Sequence, residues 1–87
     1  MIGAVAQLAE LKAAGAESAQ KSAERFHAMG FRGRKYRREL KGGTEQLALA
    51  VQDVAFSNGF DQATADEVIL FVVDVFFRRL STLEGSR

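Results

Sequence analysis

Residues 61–83 read DQATADEVILFVVDVFFRRLSTL, and this stretch decides the fold. From Val68 to Phe77 every side chain except Asp74 is apolar, which fits either a buried helix or a buried strand. No turn signal interrupts the stretch, and the chain offers no second strand to pair with it. We therefore predict a helix over residues 61–83. Its N-cap is either Asp61 or Thr64, the latter in a capping box with Glu67.

A second predicted helix precedes this one. Its apolar stripe begins at Leu47 and continues with the i, i+4, i+7 spacing of one helical face. Thr44 is a suitable N-cap, and Asn58-Gly59 is typical of a helix end. Residues 44–58 are therefore predicted to pair with the last helix in a helical hairpin that forms the core.

The first predicted helix covers about residues 2–29 and ends at Gly30, a suitable C-terminal cap. Gly15, Ala19 and Ala23 are four residues apart and share one face. Such small side chains allow another helix to approach closely, although the same composition also fits an alanine-rich surface helix. The partner of this face, within the chain or on a neighbouring copy, is left open. The prediction is thus an all-α single domain of three helices.

Charge is distributed unevenly along the chain. Between Arg32 and Lys41 there are six cations and one acid, a net charge of +5, whereas the rest has six cations and ten acids, a net charge of −4. Residues 30–43 also hold four glycines, and we predict a basic loop there with Gly42-Gly43 as a linker. Such a local concentration of charge indicates contact with another macromolecule.

The basic stretch is the one candidate site for nucleic acid. Arginine binds phosphate through a bidentate fork, and aromatic rings such as Phe31 and Tyr36 can stack on exposed bases. The residues assigned to nucleic-acid contact are Arg32, Arg34, Lys35, Tyr36, Arg37, Arg38 and Lys41. Two alternatives stay open: pairing of these cations with acids of a neighbouring subunit, and a solvated loop without a role.

The last predicted helix is apolar nearly all the way round, which is typical of a buried helix. Two short neighbouring helices cannot easily cover it, so we predict a homo-oligomer or a larger assembly. The residues assigned to that interface are Val68, Phe71, Val72, Val75, Phe76 and Leu80.

Residues suited to catalysis are scarce. There is no cysteine, and the single histidine, His27, has only Glu24 as a nearby acid, so no metal or cofactor is predicted. Asp74 interrupts the apolar run and is expected to pair with Arg78 four residues on. The prediction is a non-enzymatic protein without a small-molecule substrate. No secretory signal or membrane span is recognised, which predicts a cytoplasmic or virion-internal location.

The hairpin region resembles the N-terminal helical hairpin of the bacterial histone-like HU/IHF family. The matching features are the apolar stripe of the second helix, the turn Gly59-Phe60-Asp61, Ala65, and the run Val73-Asp74-Val75-Phe76-Phe77. In that family the helices interlock in an obligate dimer, and β-arms bind DNA. The resemblance covers residues 44–80 and implies dimerisation through the last helix. It implies no DNA-contacting residue, because the arms have no counterpart here.

Together these features predict a small oligomeric nucleic-acid-binding or nucleic-acid-associated protein that uses the basic stretch. The alternative is a structural subunit of a larger assembly, such as a phage virion component, held together by helix packing.

Overall fold

The structure is a computed structural model that describes the backbone of residues 2–85 and the side chains of residues 7–85. It consists of three α-helices: α1 (Ile2–Met29), α2 (Gly33–Ser57) and α3 (Gln62–Gly85). The described backbone contains no strand. The all-α, three-helix prediction is confirmed, as is the choice of helix for the apolar run of α3.

Local signals set the turn between α2 and α3. The backbone N–H of Phe60 donates to the carbonyl oxygen of Ala55, and that of Gly59 donates to Phe56, both at 3.0 Å. With the positive φ of Gly59 (82°), this is the Schellman arrangement that ends a helix. Asp61 then caps α3, because its Oδ1 accepts a 2.9 Å hydrogen bond from the N–H of Thr64. Of the two predicted N-caps, Asp61 is the one used.

The three helices run up, down and up, and α3 lies between the other two. It packs along most of α1 and along α2, whereas α1 and α2 touch each other only sparsely. The pairing of α2 with α3 agrees with the predicted hairpin, but the core also requires α1. Its buried side chains are Ala19, Ala23, Val51, Val68, Val72, Phe76 and Leu80.

The seam between α1 and α3 is made of small residues. Ala19 and Ala23 are completely buried, and a Cβ atom added at Gly15 would lie 2.5 Å from Cγ2 of Val72. The expectation of a close approach at this face is therefore confirmed, and the alternative of a solvated alanine-rich helix is wrong. The partner is α3 of the same chain. Ion pairs flank the seam, with Lys12 Nζ 3.6 Å from Glu67 and Arg79 Nη2 3.1 Å from Glu24.

The close approach at Gly15 can be tested by substitution. We expect Gly15→Ala to destabilise the protein by about 1–2 kcal/mol, because a 2.5 Å contact with the stiff Val72 side chain places the overpacking cost near the upper end of ~1–3 kcal/mol, against a helix-propensity gain of ~1 kcal/mol. In the Val72→Ala background the obstructing methyl is gone, so the same change should be neutral or stabilising. Urea unfolding of the wild type, the two single variants and the double variant measures the interaction energy between the two positions. A stabilising Gly15→Ala in the wild-type background would contradict the packing.

The predicted basic loop at residues 30–43 is wrong for most of its length, because α2 begins at Gly33 and continues through Gly42 and Gly43. Thr44 is consequently not an N-cap. Its Oγ1 donates to the carbonyl oxygens of Leu40 and Lys41, both at 3.0 Å, as a hydroxyl does inside a helix. Only residues 30–32 form the connection, and Gly30 (φ 68°) follows the last residue of α1 as predicted.

Candidate nucleic-acid interface

The helical conformation of residues 33–41 groups the predicted cations. Arg34, Arg37, Arg38 and Lys41 have i, i+3, i+4, i+7 spacing and share one side of α2, which we call the basic face. All four side chains are exposed. Arg32 precedes the helix as its N-cap residue, and Lys35 lies on the flank with its Nζ 5.4 Å from the centre of the Phe31 ring.

The cations of this region differ from most of the described cations elsewhere in having no acidic partner. Outside it, Lys12, Lys21, Arg78 and Arg79 each form an ion pair. The exception elsewhere is Arg25, which donates to Oγ of Ser22 at 3.4 Å. The pair of Arg78 with Asp74, at 2.8 Å, confirms the one predicted from the sequence. No cation from Arg32 to Lys41 has an ion pair with any residue of the described range.

The N-terminal end of α2 strengthens the positive potential. The first turn contains no acid, and Arg32 forms no side-chain hydrogen bond to cap the helix. Free backbone N–H groups and the helix dipole therefore add partial positive charge beside the arginines. An anionic partner on the basic face would experience both contributions.

Both the hydroxyl and the ring of Tyr36 contact other residues of the chain. Its hydroxyl donates a hydrogen bond to Oε1 of Glu84 near the end of α3. Its ring packs edge-on against Phe26 with 5.2 Å between centroids, and Phe31 packs against the same Phe26 at 5.4 Å. These contacts anchor the start of α2 to α1 and α3. The assignment of Tyr36 to base stacking stays a prediction, and it would require these contacts to be given up.

The contact between Tyr36 and Glu84 has a measurable signature. The hydrogen bond to Glu84, followed by burial and the carboxylate charge, raises the pKa of Tyr36 from 10.0 to about 12. Folding therefore stabilises the protonated phenol, and this stabilisation is complete below pH 10 and is lost as the pH rises through about 12. The chain has one tyrosine and no tryptophan, so the ultraviolet absorbance of tyrosinate reports on this group alone.

We expect the folded protein to titrate near pH 12, and the Glu84→Ala variant to titrate closer to the ordinary tyrosine value. Protein in concentrated urea provides the unfolded reference. If the native protein titrated at the same pH as the reference, the contact would be refuted.

Of the six residues assigned to the oligomer interface, the structure buries four and leaves two at least partly exposed. The chain itself buries Val68, Val72, Phe76 and Leu80 against its own helices, because the small side chains of α1 let it cover α3. These four cannot meet a second copy in this fold. Val75 is partly buried against the core, and Phe71 is 40% exposed.

Apolar side chains that the sequence analysis did not single out remain on the surface. Leu70 is 72% exposed and Phe77 43%, and they lie two turns apart on the outer side of α3. A second apolar surface is an open groove between α1 and α2. Its lining residues are Leu11, Ala14, Gly15, Ser18, Leu47, Ala50, Val51 and Val54. The only sequence signal for the groove is the helical spacing of Leu47, Val51 and Val54.

The described residues hold no group of three or more His, Asp or Glu side chains that could bind a metal ion. Glu24, the acid nearest His27 in sequence, accepts hydrogen bonds from Nε and Nη2 of Arg79 at 3.2 and 3.1 Å. Within residues 2–85, no helix has the length and apolar character needed to cross a membrane.

No protein-family model, curated protein or solved structure matches this chain. The resemblance of the hairpin to the HU/IHF family therefore stays a prediction. The function must be argued from the surface of the molecule.

Proposed function

We propose that this protein binds nucleic acid through the phosphate backbone, using the basic face of α2. The observation that carries the proposal is the contrast between paired and unpaired cations. Of the described cations outside residues 32–41, four have acidic partners and Arg25 alone does not, whereas none of the six cations from Arg32 to Lys41 has an acidic partner among the described residues.

The geometry supports a polymeric ligand more than a single anion. The eight residues of helix from Arg34 to Lys41 span about 10 Å, because they are separated by seven steps of 1.5 Å. Four cations over that length match the dense, repeated charge of a phosphate backbone, in which duplex DNA carries one charge per about 1.7 Å of axis. Arg32 and Lys35 extend the charged surface at its N-terminal end. Contacts of this kind position a protein on nucleic acid without base specificity.

The test is a binding titration with labelled duplex DNA and duplex RNA, each two helical turns long, and with a single strand of the same number of nucleotides. At about 50 mM salt phosphate contacts are strong, so binding should be detectable. For duplex DNA, the logarithm of the association constant should fall with the logarithm of the salt concentration at a slope of about −4 to −5 if four to six cations engage phosphate. Fluorescence anisotropy measures both quantities. No binding to any of the three at this salt concentration would refute the proposal.

A second candidate function is self-association into a larger assembly, and the observation that favours it is the apolar groove. Val54 is 46% exposed at its edge. The exposed flank of α1 carries Glu10 in its first half and Arg25 in its second half, so an antiparallel copy would bring opposite charges together. We propose a second copy of the chain as the occupant of the groove.

Sedimentation velocity of the wild type and of Val54→Asp tests this second candidate. The wild type should sediment as a dimer or larger species at micromolar concentration, and Val54→Asp as a monomer with unchanged helicity. Leu70→Asp, which places the same charge on the opposite side of the molecule, is the matched control. A wild type that is monomeric at these concentrations would refute self-association, and nuclease treatment distinguishes it from bridging by nucleic acid.

A further inference from the structure

We infer that the basic part of α2, residues 33–43, is a helix of marginal stability in the free protein and becomes stably helical when nucleic acid neutralises it. The inference rests on the proposed function and concerns the regulation of the same site. In the structure α2 is one continuous helix from Gly33 to Ser57. The interactions that stabilise the helix differ between its two halves.

Most charge pairs within residues 33–43 oppose the helix, and Lys35 with Glu39 is the one pair of opposite charge at helical spacing. Like charges occur at i, i+3 or i+4 spacing in five pairs: 34–37, 34–38, 35–38, 37–41 and 38–41. Each such pair disfavours the helix, and cations near a helix N-terminus meet the positive end of the dipole. The N-terminal end also lacks a side-chain cap and a first-turn acid. Bound phosphate would reverse all of the unfavourable electrostatic contributions at once.

Gly42 and Gly43 add a second, independent source of instability. Both are exposed, and a Cβ atom at either position would meet nothing within 4 Å. Packing therefore does not require glycine here, while glycine lowers helix propensity through its backbone entropy. The pair lies between the basic half and the half that carries the buried residues Val51 and Ala55, so the helix can be interrupted there while those two residues stay in place.

Few tertiary contacts oppose this loss. The buried residues of α2 are Val51 and Ala55, both in its second half. The first half is attached through the partly buried Tyr36, which binds Glu84 and packs on Phe26, and through Leu40 against the core. Two anchors separated by one turn define where the helix forms. These two contacts alone do not make the helix stable, and bound nucleic acid supplies the remaining stabilisation.

Hydrogen exchange of the full chain tests the inference at about 50 mM salt, with and without the DNA duplex that anisotropy shows to be bound. In the free protein, amides 36–43 should exchange at least about tenfold faster than amides 50–57, since local opening follows local stability. Duplex addition should slow exchange at 36–43 by a similar factor and leave 50–57 little changed.

Substitution of both glycines provides the second arm. Gly42→Ala with Gly43→Ala should shift the local helix equilibrium by about 25-fold, a factor of about five for each glycine. Exchange at 36–43 should then be slow without DNA, and the duplex should bind more tightly because the competent conformation is already populated. Ser57→Ala, at the far end of α2, is the matched control and should change neither quantity.

The outcomes separate the two proposals. If the duplex binds but exchange at 36–43 is already as slow as at 50–57, or is unaffected by DNA, coupled folding is refuted and nucleic-acid binding stands. If no nucleic acid binds at this salt concentration, both proposals fail.

Discussion

Phe76→Ala is expected to destabilise the protein by about 3–5 kcal/mol, the usual range for truncating a buried aromatic side chain. Phe76 is 2% exposed at the centre of the core and packs edge-on against Phe26 and Phe77, at centroid distances of 6.3 and 5.5 Å. Domains are typically stable by only about 5–15 kcal/mol, so a substantial fraction of the stability would be lost. Thermal and urea unfolding followed by circular dichroism measure the effect.

The neighbouring Phe77 supplies a control of the same residue type. It is 43% exposed on the outer side of α3, and Phe77→Ala should cost less than half as much. Because successive helical residues differ by about 100° in direction, the pair tests the rotational position of α3. Equal losses for the two variants would mean that this position is wrong.

Replacement of Arg34, Arg37 and Arg38 by alanine together is expected to weaken nucleic-acid binding on the order of 100-fold at low salt and to reduce the salt slope by about three. These side chains are exposed and unpaired among the described residues, and alanine is a strong helix former. Far-ultraviolet circular dichroism should therefore show no loss of helix, and the loss of binding can be attributed to the basic face. Anisotropy titrations at several salt concentrations measure both quantities.

A second triple variant separates the basic face from net charge. Lys21, Arg25 and Arg78 replaced by alanine remove the same number of positive charges from other surfaces. This protein should bind nucleic acid nearly as well as the wild type. If both triple variants lost affinity equally, general charge would explain the binding and the assignment to α2 would be withdrawn.

The number and order of the helices follow from local signals in the sequence. Asn58-Gly59 and Asp61 define the turn through backbone and side-chain hydrogen bonds that involve only nearby residues. The pair Asp74–Arg78 depends only on helical spacing. Features of this kind are predictable because their causes lie within a few positions of one another.

The start of α2 could not be predicted for the opposite reason. Four glycines and a dense run of cations disfavour a helix over residues 30–43, and local propensity indicates a loop. The helix begins at Gly33, and its first turns contact the rest of the chain through Tyr36 and Glu84, which lies 48 positions away in the sequence. The identities of the cations were evident from the sequence, whereas their grouping on one face follows only from this helix.

The burial of Val68, Val72, Phe76 and Leu80 within the chain, which the interface prediction did not anticipate, shows the same dependence on distant residues. An apolar helix such as α3 predicts a second chain that covers it, if the neighbouring helices are assumed to carry side chains of ordinary size. The residues Gly15, Ala19 and Ala23 let α1 approach closely enough to cover Val72 and its neighbours. Whether a helix needs an external partner thus depends on the size of side chains more than fifty positions away.

The seam between α1 and α3 also has a kinetic consequence. Its paired residues, such as Lys12 with Glu67 and Glu24 with Arg79, are 55 positions apart, whereas α2 and α3 are joined by residues 58–61. Closing the longer loop costs more chain entropy, and small side chains return little apolar burial until the two helices are in register. We therefore expect the α2–α3 hairpin to form before α1 docks, so that substitutions in the α2–α3 contact should slow folding and substitutions in the α1–α3 seam should mainly speed unfolding.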